Sequence, residues 1–507
     1  MDMKKQVQNH IRWSRYGDRN EISLQEAQMR TFNNFIWRFA QTEGNYNFSS
    51  GSRGKGNLSS EANPYFLFPQ IYNFRYNIFS SEWPVANRVI ELYLQKKSEN
   101  GGWERQINGI SNNEKAVLLL EKRTFKELLV DMELRNLQNN IVGQEASRLF
   151  ARAEINMGVE AFRDSLYSLL KRNTFLNIKF ENMLDTLGEI SRTDIRSLLG
   201  EWEKTTPLPF YSLGEPTLTK ITNKGGEEFF VLKMLISNNS DYDGIIHMDI
   251  RKDGWWYQPL EDPRAKTKIE MPAHTSKEFV SVWEDQIRNV EINTMVSGNL
   301  PNIISQDINN VKQERNKIVK DSIYILPESS FDLPGEIIVD NEDSTLFILS
   351  APPIVGLLPK WLDEVEETPF KYSGISWWRP PLQWTATTND RYYGKYIRSA
   401  FVIKSGDGSQ TATWKVPVPE VGQYDLYYHV FKDDELRWNN NLQGEYHFKV
   451  KYGSEVEDAY VNLRKANEGW EQLGSYYFDS DTVRVVLTDE CKLRSVTADA
   501  VKIVKRY

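Results

Sequence analysis

The sequence predicts a multidomain α+β protein: an α-helical region, then a small β-sandwich, then a C-terminal all-β sandwich. Three observations predict it. Between Gln144 and Pro209 apolar residues recur at helical spacing and are punctuated by Gly158, Pro207 and Pro209. Beyond Pro209 the period changes to that of strands, and from Trp377 to Val504 short strand-like runs alternate with turn signals at close intervals. A chain of 507 residues is long enough for two or three cores. The divisions expected are residues 1–60 (an N-terminal helix and flexible loop), 61–210 (helical), 211–320 (small β-sandwich), 321–368 (linker) and 369–507 (C-terminal β-sandwich).

In chain order, Ile22 to Phe39 reads as a helix, and Ser49 to Gly56 as a loop. Pro64 to Asn140 is mostly helical, with Glu114, Glu121 and Glu127 expected as solvated charges. One face of a helix is then traced by Ala146, Leu149, Phe150, Ala153 and Met157, and a second by Phe162, Leu166, Leu169 and Leu170. A third follows at Phe180, Met183, Leu184 and Leu187, and a fourth at Ile195, Leu198, Leu199 and Trp202, opened by Ser191 and Asp194 at capping-box spacing. Strands are expected at Phe229–Ile236, Gly244–Ile250 and Lys277–Val282, and a charged helical link near Gln313–Lys320. Within the linker, Gly335 to Asp343 reads as a strand ending in an acidic knot. That knot lacks the alternating ligands and glycine of an EF-hand loop, so a plain turn is preferred to a Ca²⁺ site.

The formal net charge of -8, from Lys+Arg 62 against Asp+Glu 70, is mildly acidic and mixed, which argues against a nucleic-acid partner. Cys491 is the only cysteine, so an intrachain disulfide or a cysteine-rich zinc site is excluded. Met1 to Asn20 is polar rather than a signal peptide, and no apolar stretch has membrane-spanning length.

Catalytic plans are not met. The five histidines, His10, His247, His274, His429 and His447, include no pair one helical turn apart, so the zinc-peptidase arrangement of two imidazoles around one metal with an intervening glutamate is missing. There is no nucleophile elbow, and Cys491 has no histidine near it in sequence. The carboxylate pairs Asp433 with Glu435 and Asp479 with Asp481 have the residue types of a glycosidase, but their positions favour turns. No catalytic residue, metal or cofactor is expected.

Two families are resembled. The helical run ending in Trp202-Glu203-Lys204-Thr205-Thr206-Pro207-Leu208-Pro209, with Phe79-Ser80-Ser81-Glu82-Trp83-Pro84 and Ile110-Ser111-Asn112-Asn113-Glu114-Lys115-Ala116 ahead of it, resembles the region after the zinc site of bacterial M1-family aminopeptidases, over roughly residues 60 to 320. Gly143 and Glu145 stand where that family carries its tyrosine phrase. The C-terminal phrases Tyr392-Tyr393-Gly394, Thr411-Ala412-Thr413-Trp414, Gly422 to Tyr427 and Trp470 to Phe478 resemble the golvesin C-terminal-like, xanthan-lyase-type domain. That resemblance implies a carbohydrate-binding β-sandwich of a cell-envelope, periplasmic or cell-surface protein, and with the first it implies a membrane-protein partner.

Binding is then the chemistry to look for. Trp 15, Tyr 24 and Phe 24 give an aromatic surplus, much of it in the last third. Sugar rings present apolar C–H faces that stack on such side chains, and the candidates are Trp377, Trp378, Trp384, Tyr392, Tyr393 and Trp438. Trp414, Tyr424 and Trp470 lie in strand patterns and are expected in the core. Trp255-Trp256-Tyr257 is either a second platform or a packed hairpin tip. The role expected is a non-catalytic scaffold or glycan-binding segment. The rival is the back part of an active M1-like enzyme, or a glycan-cleaving protein.

Overall fold

The computed structural model describes residues 23–31, 77–80, 85–94, 102–131, 136–173, 177–196, 204–222, 225–252, 258–308 apart from 261, 310–315, 319–327, 335–350, 370–376, 379–432 and 444–506, with a few isolated residues besides. They fall into two compact units. One comprises residues 1–99 and 116–207, the other 100–115 and 208–507.

The first unit is helical. Helices Ala86–Leu94, Phe125–Val130, Gln138–Met157, Val159–Arg172 and Phe180–Ser191 enclose a core in which Ile90, Phe150, Phe162, Leu166 and Leu184 are fully buried. Gly158 makes the break between the two longest at φ 86°, a conformation that a side chain would strain. Thr124 and Glu127 form a capping box at the start of Phe125–Val130, each satisfying the other's backbone N–H. The ring of Tyr93 lies 4.7 Å from that of Phe150, and its hydroxyl donates to Glu154 at 2.7 Å. Burial first, then the Glu154 carboxylate, pushes this phenol far up, so it stays a donor. A parallel pair of short strands, Asn77–Phe79 with Asn177–Lys179, was not foreseen. Of the expected fourth helix, Thr193 to Arg196 form a turn, and the residues from 197 to 203, with Trp202, lie outside the described residues.

In the second unit the first sandwich has two sheets. One runs Ile303–Asp307, Ile287–Asn293, Gly244–Lys252, Gln258–Pro259, with Lys266–Met271 also on Gly244–Lys252. The other runs Val311–Arg315, Thr217–Thr222, Glu228–Asn238, Thr275–Trp283, Ser322–Pro327, with Tyr211–Leu213 also on Glu228–Asn238. Inward residues of alternating strands, among them Leu232, Met234, Ile246, Met248, Ile250 and Ile292, fill the space between. Of the charged stretch expected as a helical link, Gln313 to Arg315 lie instead in strand Val311–Arg315, parallel to Thr217–Thr222, and residues 316–318 lie outside the described residues. Ser322–Pro327 ends its sheet and buries little: Ile325 is 72% exposed, and Ile323, Tyr324 and Leu326 are exposed too.

The linker expected over residues 321–368 is corrected by strand pairing. Glu336–Val339 pairs antiparallel with Val501–Lys505, and Phe347–Leu349 with Thr411–Pro417, so both belong to the C-terminal sandwich. Its sheets run Glu336–Val339, Val501–Lys505, Gly422–Val430, Gly469–Phe478, and Phe347–Leu349, Thr411–Pro417, Thr482–Thr488, Glu445–Tyr452, Glu455–Asn462. A third sheet joins Thr385–Thr388, Ser399–Lys404 and Ser495–Ala498. Trp414, Leu426, Tyr428, Phe448 and Val485 are fully buried between them.

The short segment around helix Gly102–Asn108 ties both sandwiches. Glu114, expected to be solvated, is 1% exposed: it pairs with Arg105 at 2.7 Å and accepts from the backbone N–H groups of Ser111 (2.6 Å) and Asn302 (2.9 Å). Glu121 and Glu127 are exposed as expected. Thr388 donates to the carbonyl of Gly109 at 2.6 Å, and Arg398 to that of Leu300 at 2.6 Å.

Candidate functional site

The four-stranded sheet of the C-terminal sandwich turns one face to the core and the other outward. Along Gly422–Val430, Tyr424, Leu426, Tyr428 and Val430 are buried, so Asp425, Tyr427 and His429 point out. Register puts His429 opposite Trp470, Tyr427 opposite Gln472, Asp425 opposite Ser475, and Gln423 opposite Tyr477. A register shift between Leu426 and Tyr427 marks a bulge at Leu473, which keeps Trp470 and Gln472 on the same outward face as Ser475 and Tyr477. Val501–Lys505 adds Lys502 beside Tyr427, and Glu336 comes from the edge strand.

At one end of this face lies an aromatic cluster. Trp470, half-buried, sits 5.0 Å from Tyr393 and edge-on to His429 at 5.2 Å. The Lys502 ammonium lies 4.8 Å from the centre of the Trp470 ring and 5.3 Å from that of Tyr427, and is paired with Glu336 at 3.0 Å. The middle of the face is polar. Asp425 accepts from Ser475 (2.5 Å), Gln472 (3.1 Å) and Arg506 (2.8 Å), and the Arg506 bond, then that of Ser475, holds its carboxyl below the usual range. Tyr477, 60% exposed, stands at the far end.

Behind the cluster a set of polar and charged groups around buried Asp499 fixes its position. Asp499, fully buried, holds His429 Nδ1 at 2.8 Å and accepts from the backbone N–H of Tyr393. Burial raises the Asp499 carboxyl, with His429 opposing. Asp340 is pushed well up by burial and then by Asp499 nearby, and burial lowers the neighbouring Arg398 guanidinium. The His429–Asp499 pair has the geometry of a base and its orienting carboxylate, but the groups packed on the imidazole are the Tyr393 and Trp470 rings. Among the described residues, no three His, Cys, Asp or Glu side chains converge as metal ligands.

The sequence candidates scatter. Trp377, Trp378 and Trp438 lie outside the described residues, as do Trp255, Trp256, Tyr257, Asp433 and Glu435. Tyr392 is corrected: it is 6% exposed, because the turn from Asn389 folds its ring under Phe431 at 4.6 Å. Trp384 is half-buried against the core, its Nε1 without an acceptor among the described residues. Among the described candidates, Tyr393 alone joins the outward cluster. Trp414 and Tyr424 are core residues as expected, whereas Trp470 is not. Asp479 and Asp481 occupy an exposed turn.

Residues 380–505 match the family model of the Golvesin C-terminal domain. No curated protein matches the chain. Solved structures with some likeness include Bacteroides uniformis beta-glucuronidase (11% identity, 62% of this chain and 32% of that one, TM-score 0.18). Another is TmCBM61 in complex with beta-1,4-galactotriose (13% identity, 34% of this chain and 86% of that one, TM-score 0.13). The chain thus spans about a third of the length of the glucuronidase, and superpositions this loose carry no fold assignment. The resemblance of residues 60 to 320 to M1 aminopeptidases finds no support in these comparisons.

Proposed function

We propose that the C-terminal sandwich binds carbohydrate on the outward face of its four-stranded sheet, and that the rest of the chain is a non-catalytic scaffold presenting it. The observation that carries this reading is Trp470, half-exposed on a rigid strand beside Gln472, Ser475 and Asp425. Aromatic rings take the apolar faces of sugars, and fixed polar neighbours select the hydroxyls. The match to the Golvesin C-terminal domain supports it, since the resemblance read from the sequence attaches carbohydrate binding and an envelope or cell-surface setting to that domain. No helix among the described residues is long and apolar enough to cross a membrane. Kinship of the helical unit with M1 metallopeptidases rests on its sequence phrases alone and supplies no step.

Titration of the whole chain against a glycan panel tests the proposal. Trp470→Ala is expected to weaken binding by about tenfold or more, near 1.4 kcal/mol, while Trp384→Ala leaves it unchanged. Equal affinity of the Trp470 variant and the parent would overturn the assignment of the face.

A further inference from the structure

We infer that the ligand of this face is an uncharged glycan chain bound lengthwise along strand Gly469–Phe478, an inference that rests on the carbohydrate-binding reading above. Charge decides the first half. Each charged side chain that the described strands turn outward has an opposite partner, Lys502 with Glu336 at 3.0 Å and Asp425 with Arg506 at 2.8 Å, and the His429 ring is bonded to Asp499 at 2.8 Å. At the rim Arg391 Nε meets Glu468 at 2.6 Å. The Lys502 ammonium is moreover drawn over two ring faces.

A uronate or sulfated polymer would meet no uncompensated cation among the described residues that these strands turn outward. To bind one it would have to displace Glu336 or Asp425 and leave that carboxylate without its partner, an exchange of like for like with a desolvation cost. A neutral chain faces no such exchange. Its hydroxyls take the remaining lone pairs and N–H groups of these paired side chains, together with Gln472 and Ser475, and its C–H faces take the rings.

Geometry decides the second half. Trp470 and Tyr477 are seven residues apart on one strand and share a face through the bulge, which separates them by roughly 20 Å at about 3.3 Å per residue. Between them lies the polar row of Gln472, Asp425 and Ser475. A single sugar cannot reach both ends. An extended oligosaccharide can, with rings gripping its ends and the polar row reading its middle.

The test uses affinity electrophoresis of the whole chain through gels carrying neutral polymers (β-galactan, β-mannan, xylan, mixed-linkage β-glucan) or acidic ones (polygalacturonate, alginate), at low and at high salt. Calorimetry compares a neutral hexasaccharide with its monosaccharide. Retardation by a neutral polymer that salt leaves unchanged is expected, with the hexasaccharide at least about tenfold tighter than the monosaccharide. Trp470→Ala and Tyr477→Ala should each reduce the retardation, and unchanged thermal melts would show both variants folded. Retardation by polyuronate alone, lost at high salt and abolished in Trp470→Ala, would overturn the neutral-ligand inference and keep the carbohydrate-binding reading. Equal affinity for monosaccharide and hexasaccharide, or a Tyr477 variant equal to the parent, would overturn the lengthwise mode. Failure of every polymer to retard the chain would overturn the carbohydrate-binding reading and this inference with it.

Discussion

Asp340 is half-buried beside Asp499, with no cation bonded to it among the described contacts, and its carboxyl is held well above the usual range by loss of solvent first. A raised carboxyl contributes stability that is fully present below the unfolded value of about 3.9 and is lost as pH rises through the folded one. Asp340→Asn should therefore melt higher than the parent at neutral pH. The difference should shrink toward zero as pH falls below about 4, and thermal scans across pH check it. A variant that melts lower at neutral pH would mean the charged form is the one the site needs. A second residue-scale constraint is steric. Gly109 has φ +78°, and a Cβ there would lie 2.4 Å from the Ser373 nitrogen; one on Gly374 would lie 2.0 Å from the Ile107 carbonyl oxygen. Gly109→Ala and Gly374→Ala should each cost about 1–3 kcal/mol, read from denaturant midpoints. None of this was legible in the sequence, because burial of a charge and the close approach of two backbones are made by segments more than one hundred and fifty residues apart.

The elements themselves were more legible than their partners. Alternation located strands Glu228–Asn238, Gly244–Lys252, Thr275–Trp283 and Gly422–Val430, and helical spacing located Gln138–Met157 and Val159–Arg172 across Gly158. Trp470 was misread for a definite reason. Counting back by twos from buried Tyr476 and Phe478 puts it inside, and only the bulge at Leu473 reverses that parity. The strands Glu336–Val339 and Phe347–Leu349 were misassigned because each is short and pairs with a strand far away in sequence. Their loss has a measurable effect: a protein beginning at residue 369 should unfold earlier and less cooperatively than one beginning at residue 335, since Val339 and Phe347 leave the core with them. Equal melting of the two would show these edge strands to be dispensable.

Across the whole molecule, the helical run from Gly102 to Lys115 was expected to belong with the later helices, yet its buried Glu114 is satisfied by Arg105 and by the Asn302 backbone. Glu114→Ala leaves a half-buried guanidinium and two backbone donors short of an acceptor, a loss of about 2–4 kcal/mol, toward the lower end of the usual cost of breaking a buried pair. Hydrogen exchange should show protection falling over residues 102–115 and 300–302 while helix Gln138–Met157 keeps its own. Equal loss in that helix would place the segment with the helices after all. The strand Ser322–Pro327 bears on behaviour beyond the single molecule. It carries no charged residue, its apolar side chains stand in water, and one side of its backbone has no strand partner among the described residues. Such a border is a template on which other chains can crystallise into ribbons. Concentrated or warmed solutions should therefore grow turbid at a rate that climbs steeply with concentration, and a single lysine in place of Ile325 should keep them clear without shifting the melting temperature.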